Sequence, residues 1–185
     1  MDIYGRNISI GDYPTIVASP DNYVHLTTWN LEGNEGEISI GKYCLLTPGV
    51  RIASASKITI GDGCMFANSA YVSDADWHGI YDRATPVGKT SPITLEENVW
   101  IGDRAVVGKG VKIGKNSIVA AGSVVVKDVP ENVIVGGNPS KIIKELNPEI
   151  DGNTRIKLFE NPEGLKDLYD QIDQYTLKNN TTLNY

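Results

Sequence analysis

Residues 93–129 read ITLEENVWIGDRAVVGKGVKIGKNSIVAAGSVVVKDV, and an aliphatic side chain falls on every sixth position: Leu95, Ile101, Val107, Ile113, Val119 and Val125. The next residue is repeatedly small, as at Gly102, Gly108, Gly114 and Ala120. Four positions after each aliphatic residue a small or branched side chain returns, giving Val99, Ala105, Val111, Ser117, Ser123 and Val129. A period of six is neither the helical 3.6 nor the strand period of 2. A short strand followed by a tight bend does satisfy it. Three such units close a triangular coil of 18 residues, which stacks Leu95 on Ile113, Ile101 on Val119 and Val107 on Val125. Each coil buries its aliphatic residues along the axis and pairs its backbone with the coils above and below. Glycine at the bends is expected to supply positive φ.

The same unit recurs upstream. Ile40-Gly41 is followed by Leu46 and Ile52, and Ile60-Gly61 by Phe66 and Val72. The lead-in repeats as ISIG at 8–11 and 38–41, ITIG at 58–61 and ITLE at 93–96. Cys44 and Cys64 fill equivalent positions of neighbouring coils, where other coils carry Ala, Ser or Val. They therefore read as small core residues and not as nucleophiles. The pattern implies an all-β solenoid over 1–139, followed by a C-terminal helical tail over 140–185.

Composition fits this architecture and narrows function. The chain has 185 residues with 19 Gly and only two Phe, so large aromatics cannot build its core. Its two histidines, His25 and His78, exclude a metal site made from three histidines of one chain, and they cannot supply the closely spaced pair plus a third that a β-helical carbonic anhydrase gathers from two subunits. Two cysteines are too few for a disulfide-stapled scaffold. A net charge of −6 argues against a general nucleic-acid binder. The opening Met-Asp-Ile-Tyr-Gly has neither the basic nor the apolar region of a signal peptide. No apolar run approaches the roughly 20 residues of a membrane span. The expectation is a cytoplasmic protein with reduced thiols.

Two stretches break the repeat. Residues 18–37, with Ser19-Pro20-Asp21-Asn22 and Asn30-Leu31-Glu32-Gly33-Asn34, read as a loop excursion from one corner. Residues 73–92, SDADWHGIYDRATPVGKTSP, read as an extruded loop rich in side chains that do chemistry. After Pro139, Ser140–Leu146 suggests a short closing helix. Asn161-Pro162-Glu163 opens a second, whose apolar stripe is Leu165, Leu168, Tyr169, Ile172 and Tyr175. That stripe is expected to pack on the solenoid or a neighbouring subunit, and the last residues, 179–185, to fray. Charge is uneven as well: residues 104–144 carry +5, from Arg104, Lys109, Lys112, Lys115, Lys127, Lys141 and Lys144 against Asp128 and Glu131. A basic field on an acidic chain suits a small polyanionic ligand.

The segments NVWIG (98–102), VKIG (111–114), IVAAGSVVVKDVP (118–130) and VGGNPSKII (135–143) resemble the hexapeptide-repeat acyltransferases of the xenobiotic, maltose and galactoside acetyltransferase type. The resemblance implies a left-handed parallel β-helix, a homotrimer with active sites between subunits, acetyl-coenzyme A as acyl donor, and no metal. It implies His78 as the general base of a direct attack without a covalent enzyme intermediate. Histidine suits that task because its unperturbed pKa of ~6.5 leaves it mostly neutral near pH 7. Asp76, or its neighbour Asp74, is the candidate to orient the imidazole. Carried over position by position, donor contacts fall on Trp100, Asp103, Ala121, Gly122, Val126, Lys127 and Lys141. Asp103 and Val126 stand where relatives often have Ser and Thr, so any contact there falls to backbone. Acceptor contacts fall on Thr47, Asp74, Trp77, Tyr81 and Arg83.

Thr47 occupies the place of the acceptor-binding asparagine of galactoside and maltose enzymes, and Gly79 replaces the proline that follows their histidine. Both departures point away from a simple galactoside acceptor. The segment IGKYCLLTPGV (40–50) is closer to the xenobiotic branch, which includes O-acetyltransferases of surface polysaccharides. A saccharide hydroxyl is the favoured acceptor. The alternatives are a nucleotide-linked amino sugar acetylated on nitrogen, an antibiotic hydroxyl, and a non-catalytic scaffold.

Overall fold

The structure is a computed structural model that describes residues 1–31, 33–150, 152 and 154–178. It forms two compact units, 1–152 and 153–185. The first is a parallel β-helix with three faces. The first face stacks Asp2–Tyr4, His25–Thr28, Arg51–Ser54, Tyr71–Ser73, Val106–Val107 and Val124–Val125. The second stacks Ile8–Ile10, Glu37–Ile40, Lys57–Ile60, Ile93–Leu95 and Lys112–Ile113. The third stacks Thr15–Ile16, Leu45–Leu46, Met65–Phe66, Trp100–Ile101, Ile118–Val119, Val133–Gly136 and Lys141–Glu145.

The expected stacking pairs are in register: Leu95 on Ile113, Ile101 on Val119 and Val107 on Val125. Upstream, Ile40 lies beside Ile60, Leu46 beside Phe66 and Ile52 beside Val72. These residues, with Cys44, Cys64, Val99, Ala105 and Val111, form one buried core. The neighbouring Cys44 thiol, together with burial, pushes the Cys64 thiol up, which keeps it protonated and unreactive.

Glycine supplies positive φ as expected at the bend residues Gly49, Gly63, Gly110 and Gly122, whereas the glycines directly after the aliphatic residues serve another purpose. Gly102 does not have positive φ; a Cβ there would lie 2.6 Å from the Ala121 nitrogen of the next coil. Close approach of stacked bends is what excludes a side chain. Positive φ also falls on non-glycine bend residues such as Asn98, Asn116 and Asn132, at 55°, 60° and 56°. Asparagine tolerates that region. These three also form an amide ladder, with Asn98 Nδ2 donating to Asn116 Oδ1 at 3.0 Å and Asn116 Nδ2 to Asn132 Oδ1 at 3.1 Å.

Two expectations need correction. Residues 18–37 are not one loop: His25–Thr28 is a regular strand of the first face, paired with Arg51–Ser54 and burying Leu26 and Thr28. The irregular spacing around this strand hid it from the hexad count. Ser140–Leu146 is not helical either. Lys141–Glu145 is a strand, antiparallel to Val133–Gly136, that closes the sheet. The paired β-branched Ile142 and Ile143 favour an extended backbone, and the free edge of Val133–Gly136 supplies its hydrogen bonds. The second unit contains a short 3₁₀ turn, Arg155–Phe159, and the helix Pro162–Leu177. Asn161 caps that helix as expected, its side chain accepting from Gly164 N at 3.1 Å. The tail expected to fray, 179–185, lies outside the described residues. Among the described residues no helix is long and apolar enough to cross a membrane.

Ile113 is fully buried between its neighbours. Ile113→Ala is expected to cost about 2–5 kcal/mol, read as a lower urea midpoint at unchanged slope.

Candidate active site

Both large departures from the helix leave by the same corner, between the first and second faces. The shorter, 29–36, follows His25–Thr28 and forms a two-stranded hairpin of Asn30–Leu31 and Asn34–Glu35. The longer, 73–92, follows Tyr71–Ser73. A coil that turns at the same corner through Ala55 and Ser56 separates them.

The root of the long loop is zipped shut. Ala75 bridges Thr90, Asp76 N donates to Lys89 O at 2.9 Å, Gly88 N to Asp76 O at 2.7 Å, and Ser91 N to Asp74 O at 2.9 Å. Asp74 is wholly buried. Its Oδ2 accepts from Ser54 Oγ at 2.6 Å and Ser56 N at 3.0 Å, and its Oδ1 from Ala55 N at 2.8 Å. Asp74, expected to face the acceptor or orient the base, instead clamps the loop to the preceding coil. A buried carboxylate accepting several donors is fully occupied by that task.

Asp76 also departs from expectation. Its Oδ1 accepts from Lys109 Nζ at 2.6 Å, across 33 residues of sequence, and both side chains are about one-third exposed. Among the described residues it makes no hydrogen bond to His78. Lys109 stands at the same corner one coil on, so this pair ties the loop to the coil below as Asp74 ties it to the coil above. Trp77 supplies a third tie: its Nε1 donates to Tyr71 Oη at 3.1 Å, and Arg51 lies over the Tyr71 ring at 4.5 Å.

These ties leave His78 exposed beyond the closed root. Gly79 follows because a Cβ there would collide with the Asp82 carbonyl. Tyr81 is fully exposed, and Arg83 is exposed with no ion pair among the described residues. Asp82 turns the loop tip, accepting from Thr85 Oγ1 at 2.9 Å and Ala84 N at 3.0 Å. The Thr85 hydroxyl and then the Ala84 N–H hold the Asp82 carboxyl below the usual range. This turn is therefore supported above ordinary carboxylate pKa values and loses that support as pH falls through the lowered one.

The remaining predicted residues fall on two corners. Thr47, Asp103, Ala121 and Gly122 line the corner between the third and first faces. Thr47 Oγ1 donates to Phe66 O at 2.9 Å, Gly122 N to Asp103 O at 2.7 Å, and Asp103 pairs with Arg104 at 3.7 Å. Val126 and Lys127 are exposed on the corner that carries the His78 loop, two coils beyond it. Trp100 is half-exposed on the third face, and Lys141 opens the last strand. The width of the first face separates the two corner groups within one chain.

The basic field contracts in the folded chain. Arg104, Lys109, Lys112 and Lys115 pair with Asp103, Asp76, Glu96 and Glu97. Lys127, Lys141 and Lys144 are exposed with no ion pair among the described residues. No group of three or more His, Cys, Asp or Glu residues that could hold a metal occurs among the described residues. His25 lies on the first face, 3.4 Å from Asp2, apart from the loop.

Sequence reasoning missed Lys109 and Ser54 as supports of the loop. Neither carries a local signal, because each meets its partner only through coil stacking. Asp74→Ala strands one hydroxyl and two N–H groups and is expected to cost about 3 kcal/mol or more in urea unfolding. Lys109→Ala should change global stability by less than about 1 kcal/mol yet speed amide exchange across 76–89.

The model of the family "Bacterial transferase hexapeptide (six repeats)" matches residues 92–127. A galactoside O-acetyltransferase of Escherichia coli (strain K12) is 37% identical over 112 residues, 60% of this chain and 55% of that protein. A 2,3,4,5-tetrahydropyridine-2,6-dicarboxylate N-acetyltransferase of Clostridium perfringens (strain SM101 / Type A) is 54% identical over 71 residues, 38% of this chain and 30% of that protein. The chain thus spans about half or less of the curated relatives it first matches. Among solved structures, a hexapeptide-repeat acetyltransferase of Vibrio cholerae is 31% identical with a TM-score of 0.62, over 75% of this chain and 73% of that one. The same protein solved with acetyl-coenzyme A matches at 28% identity and a TM-score of 0.57, over 75% and 71%. The repeat, its three parallel sheets and these likenesses agree on a left-handed parallel β-helix, and the chain belongs to the hexapeptide-repeat acyltransferases.

Proposed function

We propose that this protein transfers an acetyl group from acetyl-coenzyme A to a saccharide hydroxyl, with His78 as general base. The observation that carries this reading is the exposed His78 on a loop tied at its root by Asp74, Asp76–Lys109 and Trp77–Tyr71. A base that must meet two substrates needs exposure, and a base that must meet them in register needs a fixed platform.

In this reading the His78 imidazole removes the hydroxyl proton as the acceptor oxygen attacks the thioester carbonyl. The carbon–sulfur bond breaks, and the imidazolium returns its proton to the departing thiolate. Asp76 positions the loop through Lys109 and is not the partner of the imidazole. Lys127, Lys141 and Lys144 suit the diphosphate and 3′-phosphate of the donor, being the members of the basic segment that no carboxylate neutralises. Trp100 offers an apolar wall to the pantetheine arm. Arg83 and Tyr81, exposed on the same loop, are the side chains assigned here to the acceptor.

We assign the working form as a homotrimer. The corner bearing Asp103, Ala121 and Gly122 and the corner bearing His78 and Lys127 lie a face apart in one chain. A second copy brings one chain's loop beside another's opposite corner and completes a cleft between them. The cytoplasm is the setting that supplies the donor and keeps Cys44 and Cys64 reduced. O- and N-acetyltransferases both match the repeat, so the acceptor is to be decided by assay and not by likeness.

His78→Ala is expected to fold normally, to retain coenzyme A binding by calorimetry, and to lose about 100- to 10,000-fold in thiol release from acetyl-coenzyme A. Full retained turnover on every active acceptor would overturn the assignment. Lys141→Ala should raise the apparent KM for acetyl-coenzyme A at nearly constant kcat; an unchanged KM removes Lys141 from the donor site.

A further inference from the structure

Beyond His78 the same corner carries a row of aromatic rings, two of which, Trp29 and Tyr4, the acyl-transfer chemistry leaves unused. Trp77 lies 5.9 Å from Trp29, and Trp29 lies 6.1 Å from Tyr4, each pair tilted by just over 50°. These rings come from the long loop, the start of the hairpin and the first strand, so only stacking of the coils assembles them. Trp29 is 41% exposed and Tyr4 65% exposed. Exposed aromatic rings gathered in one row, unlike apolar side chains exposed singly, mark a binding surface.

Next to this row, an open depression of about 570 Å³ lies between the hairpin and the first bend, lined by Arg6, Asn30, Leu31, Gly33, Asn34 and Glu35. Its lining is polar and carries both a cation and an anion. Neither Arg6 nor Glu35 has an ion pair among the described residues. Asn30 Oδ1 is buried without a hydrogen-bond partner. Leaving such an acceptor unpaired costs about 1–3 kcal/mol.

Aromatic faces beside a pocket of amide, guanidinium and carboxylate groups match one ligand chemistry. A pyranose ring has an apolar face of C–H groups that lies on an aromatic ring, and an edge of hydroxyls that needs both donors and acceptors. We propose that Tyr4, Trp29 and the hairpin depression form a distal subsite for a neutral oligosaccharide acceptor. One sugar ring rests on the Tyr4–Trp29 pair with its hydroxyls toward Arg6, Asn30 and Glu35. The next continues past Trp77 to place its hydroxyl at His78. This rests on the acyl-transfer reading and sharpens it: the acceptor is a chain of at least two sugar rings. The Asn30-Leu31 hairpin is then a specificity element and not a tolerated insertion.

The test titrates the intact wild-type protein with glucose, N-acetylglucosamine, maltose, maltotriose, cellotriose and triacetylchitotriose. Binding is followed by saturation-transfer NMR, and thiol release from acetyl-coenzyme A is measured in parallel. At least one trisaccharide is expected to bind more tightly than its monosaccharide. Trp29→Ala is expected to weaken that binding by about tenfold, the effect of one lost stacking face, and Trp29→Phe to restore most of it. His78→Ala should leave binding intact. Unchanged binding in Trp29→Ala, no binding of any of these sugars to wild type, or a smaller oligomer for Trp29→Ala by sedimentation would each overturn the subsite. The last would assign the aromatic row to a subunit contact. Saccharide binding without any sugar-dependent thiol release would instead overturn the acyl-transfer reading and leave the subsite standing.

Discussion

Register between coils is the constraint on which the rest of this molecule depends. Each inward aliphatic residue sits on its counterpart in the next coil, as Ile101 does on Val119, and each short strand of the coils pairs in parallel with its counterparts, only the closing strand Lys141–Glu145 running antiparallel. A strand of two or three residues has no stability alone; it holds only because both neighbours satisfy its backbone groups. Extra residues inside a strand would shift every side chain by one place and turn the apolar set outward. Additions must therefore leave at a bend. Both large additions here leave at the same bend, which places the hairpin and the loop of His78 on one edge.

The functional loop extends from this rigid edge without being free of it. Asp74 and Lys109 grip it from the coils on either side, and Trp77 grips the face between. The buried Asp74 clamp is the costly one, since a carboxylate is accepted in the interior only when its oxygens are met by donors. The Lys109 pair is cheap in stability and matters for position. The same logic accounts for charge. Four basic residues of the +5 segment are consumed by carboxylates from the neighbouring coil or residue, so the field available to a ligand comes from Lys127, Lys141 and Lys144.

The core of the solenoid was legible because its rule is local. One aliphatic residue every six positions identified Leu95, Ile101, Val107, Ile113, Val119 and Val125, and the stacking followed from closing a coil of 18. The rule failed where spacing was irregular, so the strand His25–Thr28 was hidden inside an apparent loop. It also failed at Lys141–Glu145, where a free sheet edge decided between strand and helix. Glycine supplies positive φ at bends such as Gly110 and Gly122, as expected, but Gly102 is required by the approach of Ala121 from the next coil and not by its own φ.

The sequence by itself determined the architecture, the position of the extruded loop and the exposure of His78, because a periodic pattern and its interruption are properties of neighbouring residues. Only the tertiary structure decided what the acidic residues of that loop do. Asp74 and Asp76 looked alike along the chain, two residues apart. Stacking gave one to Ser54, Ala55 and Ser56 and the other to Lys109, and left neither on the imidazole. Stacking likewise brought Trp29 to Trp77 across 48 residues of sequence. Partners fixed by which coil lies above and which below cannot be read from a single line of residues, since the spacing between coils varies with every insertion.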